Sequence, residues 1–207
     1  AQTKYTQGEF EEALIKCEDA LAQSTDIEVS SLICVLESEI YTEQEEYTKA
    51  ADSAIRVTKF DSSKDARRRA GSLAFEAGNH LEDTKEKNGW YEKARKYYET
   101  LCQDETCSYE DEMNYALVLQ ALEQYSDSNV CLRKMREEYP DDYKVLMWMC
   151  YNYLGIGNQK GSMAEVESDL NFAYSSCKYL YSQDESMTGG SDEDMEKLNE
   201  LMKQLEE

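Results

Sequence analysis

Proline occurs once in this sequence, at Pro140, and glycine only nine times in 207 residues. A chain so poor in breakers lacks the tight turns of a sandwich or barrel, and its abundant Ala, Leu, Glu, Lys, Gln and Met favour helix throughout. Basic residues are also scarce: 22 Lys and Arg face 44 Asp and Glu, a net charge of −22. Such a chain repels phosphate, which excludes nucleic acid and direct contact with anionic membrane as roles of this segment. No stretch approaches the ~20 apolar residues of a bilayer span, and Ala1 to Phe10 lacks the charged-then-apolar plan of a signal peptide. Histidine occurs once, at His80. A single imidazole without a second His or a nearby Cys pair builds neither a metal site nor a nucleophile with its base, so no metal or cofactor is expected. Phosphate-binding glycine loops, nucleophile elbows and zinc-protease strings are absent as well, and no catalytic residue is assigned.

The seven cysteines (Cys17, Cys34, Cys102, Cys107, Cys131, Cys150, Cys177) are odd in number and scattered, unlike a closed disulfide framework. They read as reduced, mutually distant thiols, most of them small core residues. Cys102 and Cys107, with four residues between them, lack the second pair of a zinc ribbon. A disulfide between them would instead point to an oxidising compartment. Asp61 to Asp65 has the start of a calcium loop, but Ala66 stands at the turn glycine and Ser72 at the twelfth position, where Glu is needed, so that reading is rejected.

What the chain does contain is a repeat. An aromatic followed three positions later by a small residue occurs at Phe10/Ala13, Tyr47/Ala50, Tyr91/Ala94 and Tyr125/Ser128, a spacing that puts both on one helix face. The aromatics are 37, 44 and 34 residues apart, close to the period of a helical-hairpin array with insertions between helices. The longer insertion is placed in the polar run Asn79 to Asn88, read as a loop. These positions resemble the tetratricopeptide repeat family. Gly8, Phe10, Ala13, Ala20 and Leu21 follow its order in a first repeat. The second has Tyr41, Tyr47 and Ala50, with Glu45 at the usual glycine. The third has Leu73, Ala74, Ala77, Gly89, Tyr91, Ala94 and Tyr98, and the fourth Tyr115, Ala116, Leu119, Tyr125, Ser128, Met135 and Pro140. A degenerate fifth has its first helix near Tyr143 to Leu154, a break at Gly155-Ile156-Gly157, and Val166, Leu170 and Ala173 on its second.

The resemblance implies an all-α fold, a right-handed α-α superhelix of about five helical hairpins. Expected repeats are 1–26, 27–60, 61–104, 105–142 and 143–182, followed by a linker over 183–191 around Thr188-Gly189-Gly190. A capping helix over 192–207 follows, opened by a capping box at Ser191 to Asp194 and buried through Met195, Leu198, Met202 and Leu205. The short first helix before Gly8 is expected to begin upstream of Ala1, as in a piece of a longer protein.

Within the resembled family, first helices line a concave groove that binds peptides. Carried over residue by residue, that groove takes Arg68, Gly71, Ser72 and Phe75 from the third repeat. Glu110, Met113, Asn114 and Leu117 come from the fourth, and Lys144, Met147, Trp148 and Tyr151 from the fifth. The candidate partner-binding set is Arg68, Phe75, Met113, Asn114, Leu117, Lys144, Met147, Trp148 and Tyr151. Of the family's carboxylate clamp only Asn114 and Lys144 stand in matching places, and Gly71 and Trp148 replace cations. The mostly apolar lining in an acidic chain points to an apolar or basic protein or peptide partner. Two alternatives stand beside this reading: Met113, Met147 and Trp148 packing against the chain's own insertions or closing helix, and Arg67-Arg68-Arg69 as a helix face paired to carboxylates.

The segment Tyr139 to Trp148, with the helix around Asp194 to Leu198, also resembles the C-terminal repeats of bacterial membrane-anchored Ser/Thr protein kinases. That resemblance implies an extracytoplasmic docking or sensory segment of a signalling protein. A free cytoplasmic adaptor or scaffold and an enzyme with a cryptic site are the other readings.

Overall fold

The computed structural model describes residues 1–103, 107–183 and 192–206. These form eleven helices and no strand: α1 (Gln2–Thr6), α2 (Phe10–Gln23), α3 (Ile27–Glu43), α4 (Tyr47–Val57), α5 (Lys64–Asn79), α6 (Thr84–Cys102), α7 (Tyr109–Ala121), α8 (Tyr125–Glu138), α9 (Tyr143–Lys160), α10 (Glu167–Gln183) and α11 (Glu193–Glu206). The fold is all-α, of the tetratricopeptide type. It comprises two compact units, Ala1–Asp111 and Glu112–Glu207. In the first, each helix from α1 to α6 packs on the next; in the second, α9 packs on α8, α10 and α11.

One turn recurs at the ends of α1, α3, α7 and α9. Gly8, Glu45, Glu123 and Gly161 all have positive φ, between 58° and 75°. At each the residue's own N–H reaches the carbonyl three back and the next N–H the carbonyl five further back, as in Glu45 N to Thr42 O and Glu46 N to Tyr41 O. This is the left-handed helix stop that satisfies carbonyls the helix leaves open. Two residues beyond Gly8, Glu45 and Glu123 stand Phe10, Tyr47 and Tyr125, so turn and aromatic form one unit. Glutamate at Glu45 and Glu123 carries a Cβ into a conformation that costs it energy. Glu45→Gly and Glu123→Gly are each expected to raise stability by about 1 kcal/mol, read as a higher urea midpoint; a lower midpoint in both would contradict the strain assignment.

The small residues three positions on, Ala13, Ala50, Ala94 and Ser128, are buried at helix contacts, as the spacing requires. One core cluster of the first unit gathers at Ala13: it and Cys17 of α2 pack with Leu36 and Ile40 of α3.

Two expected breaks fall elsewhere. The polar run to Asn88 is mostly helical, because Asp83 caps α6 by accepting from the N–H groups of Lys85 and Glu86. Likewise α9 continues through Gly155-Ile156-Gly157 to Lys160. Those glycines serve close approach: a Cβ at Gly155 would lie 2.5 Å from the Tyr125 ring, and one at Gly157 would lie 2.1 Å from Met163 Sδ. Of the expected linker 183–191, Gln183 is the last residue of α10, and residues 184–191, including Ser191 of the expected capping box, lie outside the described residues. Asp192 caps α11, accepting from the N–H groups of Asp194 and Met195.

Candidate functional site

In the second unit, α11 is anchored by tyrosines. Tyr143 Oη donates to Asp192 Oδ2 at 2.7 Å, Tyr151 Oη donates to the Asp194 carbonyl at 2.7 Å, Tyr181 Oη accepts from the Asp192 N–H at 3.1 Å, and Tyr174 Oη meets Asn199 Oδ1 at 2.7 Å. Met195, Leu198 and Met202 form the buried stripe of α11. Leu201 and Leu205 are 39% and 48% exposed, so Leu205 does not join the packed seam expected of it.

Those two leucines line a cavity of about 430 Å³ with Gln120 of α7, Tyr125 of α8, Tyr151, Leu154, Gly155 and Asn158 of α9, and Gln204 of α11. Its position follows from helical spacing. Tyr151, Leu154, Gly155 and Asn158 are three or four apart, so α9 shows one continuous face to it. Among the described residues lining it there is no carboxylate, amine, guanidinium, imidazole or thiol. Apolar walls with a few amides and phenols suit the capture of an apolar side chain, and offer no acid–base pair for chemistry. Burial pushes the Tyr151 phenol up to about 12, so it remains a neutral donor to α11.

The residues expected in a groove are distributed as follows. Tyr151 lines the cavity, and Trp148 packs against it with ring centroids 5.4 Å apart. Met113, Asn114 and Leu117 of α7 are half-buried, and Lys144 is exposed on the first turn of α9. Met147 is only 2% exposed, which corrects its placement on a partner-binding surface: it is a core residue of the second unit. Phe75, in the first unit, packs its ring on Tyr91 at 5.5 Å. Arg68, also in the first unit, is held by carboxylates. Its Nε and Nη2 donate to the two oxygens of Asp111, both at 2.8 Å, and Nη1 donates to Asp65. The expectation of a peptide-binding guanidinium is therefore replaced by an internal fork-to-fork pair. The Arg68 hydrogen bonds, opposed by burial, hold the Asp111 carboxyl below its usual range.

Of the lining, Gln120, Asn158, Leu201 and Gln204 belong to none of the expected site or repeat positions, whereas Tyr125 and Leu205 were expected as a repeat aromatic and a capping-helix residue.

Solved structures give an independent view of the fold. MamA MSR-1 C2 aligns over 87% of this chain and 92% of its own, with a TM-score of 0.59 at 14% identity. The chain is similar in fold to MamA. MamA AMB-1 P212121 aligns over 92% of this chain and 90% of its own, with a TM-score of 0.58 at 12% identity. A tetratricopeptide repeat protein from Parabacteroides merdae ATCC 43184 aligns over 96% of this chain and 79% of its own, with a TM-score of 0.49 at 19% identity. At these identities the likeness to MamA is one of architecture. No family model and no curated protein matches the chain.

Among the described residues, no helix is long and apolar enough to cross a membrane.

Proposed function

We propose that the chain is a non-catalytic protein-binding module whose second unit takes an apolar side chain of a basic-flanked peptide into the cavity between α7, α8, α9 and α11. The observation that carries this reading is the lining itself: Tyr125, Tyr151, Leu154, Leu201 and Leu205 with three amides and no charge, in a chain of net charge −22. Apolar and aromatic anchors set how slowly a complex dissociates, and the surrounding negative charge speeds the approach of a basic partner.

The test uses the indole of Trp148, which lies against Tyr151, in a Trp90→Phe background and a library of apolar peptides with Lys or Arg flanks. Leu205→Asp and Leu154→Ala, checked for folding by circular dichroism, are expected to weaken binding at least 30-fold and roughly 10-fold, losses on the order of 2 and 1.4 kcal/mol. Added salt is expected mainly to slow association. Unchanged affinity in both variants, or no binding across the library, would sink the proposal.

Within this reading, a docking or sensory segment of a larger bacterial signalling protein is favoured over a free adaptor by the resemblance at Tyr139 to Trp148. Closure of Cys102 and Cys107 to a disulfide would favour the extracytoplasmic side. A natural gene without a kinase domain ahead of Ala1 would overturn this finer reading.

A further inference from the structure

Four of the seven thiols sit in packed interiors and Cys131 is half-buried, but two do not conform to the expectation of mutual distance. Cys102, the last residue of α6, and Cys107 place their Sγ atoms 2.6 Å apart, within about 0.6 Å of a covalent S–S bond. Both are only half-buried. Cys17, Cys34, Cys150 and Cys177 are buried outright, and burial raises the thiols of Cys17 and Cys131 to about 11 and Cys177 to about 12, and those of Cys34 and Cys150 upward as well, which makes them poor nucleophiles. Cys107 also adjoins a structural anchor: Ser108 Oγ accepts from the Asp111 N–H and donates to Asp111 Oδ2, the carboxylate that grips Arg68.

We infer that Cys102 and Cys107 are a dithiol site that closes to an intramolecular disulfide, clipping the end of α6 to the residue that precedes the Ser108–Asp111–Arg68 anchor. The reaction is thiol–disulfide exchange with a small disulfide such as oxidised glutathione. One thiolate attacks that disulfide, forming a mixed disulfide and releasing one reduced thiol; the second thiolate displaces the other. Two S–H bonds are lost and one S–S bond forms in the protein, while the reagent takes up both hydrogens and both electrons. This inference rests on the geometry of the first unit and is independent of the peptide cavity.

The experiment equilibrates the folded chain with a mixture of oxidised and reduced glutathione, quenches with iodoacetamide, then denatures and digests with a glutamate-specific protease. Cleavage after Glu99, Glu105 and Glu110 separates Thr100–Glu105 from Thr106–Glu110, each with one of the two cysteines. A species joining these two peptides, which falls apart on reduction, is the expected result, with five of the seven thiols still titrating after denaturation. The oxidised chain is expected to melt roughly 5 °C above the reduced one, and Cys102→Ser to abolish that increment. Glutathione adducts persisting on both cysteines, linkage of either to another thiol, or both cysteines recovered as carbamidomethylated peptides would each overturn the inference.

Discussion

Arg68→Ala is expected to destabilise the chain by about 4 kcal/mol, more than Asp111→Ala, for which about 3 kcal/mol is expected. The asymmetry comes from burial. Asp111 is 3% exposed and accepts from Nε and Nη2 of Arg68 and from Ser108 Oγ, whereas the Arg68 side chain is 34% exposed and keeps Asp65. Deleting the arginine strands an anion away from water; deleting the aspartate leaves a cation that water and Asp65 can still serve. Urea denaturation of both single variants and the double variant gives the coupling, expected to exceed 1 kcal/mol. Equal costs with no coupling would show that the pair is incidental.

The pH dependence follows from the same geometry. Asp111 is held below its usual range in the folded chain, so its contribution is complete above about pH 4 and is lost as pH falls through the lower folded value. Relative to wild type, Arg68→Ala is expected to lose this acid-side decline, and its destabilisation to shrink between pH 5 and pH 3. A mutant penalty constant over that range would contradict the assignment.

Asn152→Ala carries the second large effect, about 3 kcal/mol, read as a loss in urea midpoint and melting temperature. Asn152, wholly buried in α9, donates through Nδ2 to Ser128 Oγ at 2.8 Å and to Asn129 Oδ1 at 3.0 Å, and Ser128 Oγ donates in turn to the Ala116 carbonyl at 2.8 Å. One chain of hydrogen bonds therefore ties α7, α8 and α9. Removing its central donor leaves two buried oxygens short of a partner and opens a void, whereas Ser128→Ala removes a single link and is expected to cost about 1 kcal/mol. A penalty for Asn152→Ala no larger than that for Ser128→Ala would indicate that the network contributes little.

The second unit shows where sequence periodicity is informative and where it is not. Ser128 reads as a small residue three past an aromatic, and it is one; that its hydroxyl bridges a carbonyl of α7 and an amide of α9 depends on three helices meeting. Gly155 and Gly157 read as a helix break because glycine disfavours helix, yet a glycine is also where a ring can lie on the backbone, and Tyr125 lies there. The same ambiguity shifted the start of α6: a polar run resembles a loop until Asp83 satisfies the first N–H groups. Arg68 and Asp111 are far apart along the chain, and no local pattern marks them as partners.

By itself the sequence determined the all-helical class, the hairpin repeat and the burial of Ala13, Ala50, Ala94 and Ser128, because helix propensity and the three-to-four-residue spacing of a helix face act between near neighbours. Tertiary structure alone decided that Arg68 serves Asp111, that Met147 is core, that Leu201 and Leu205 face a cavity and that Cys102 meets Cys107. Each of these depends on which faces distant elements present to one another, and desolvation and close packing act only once those faces have met.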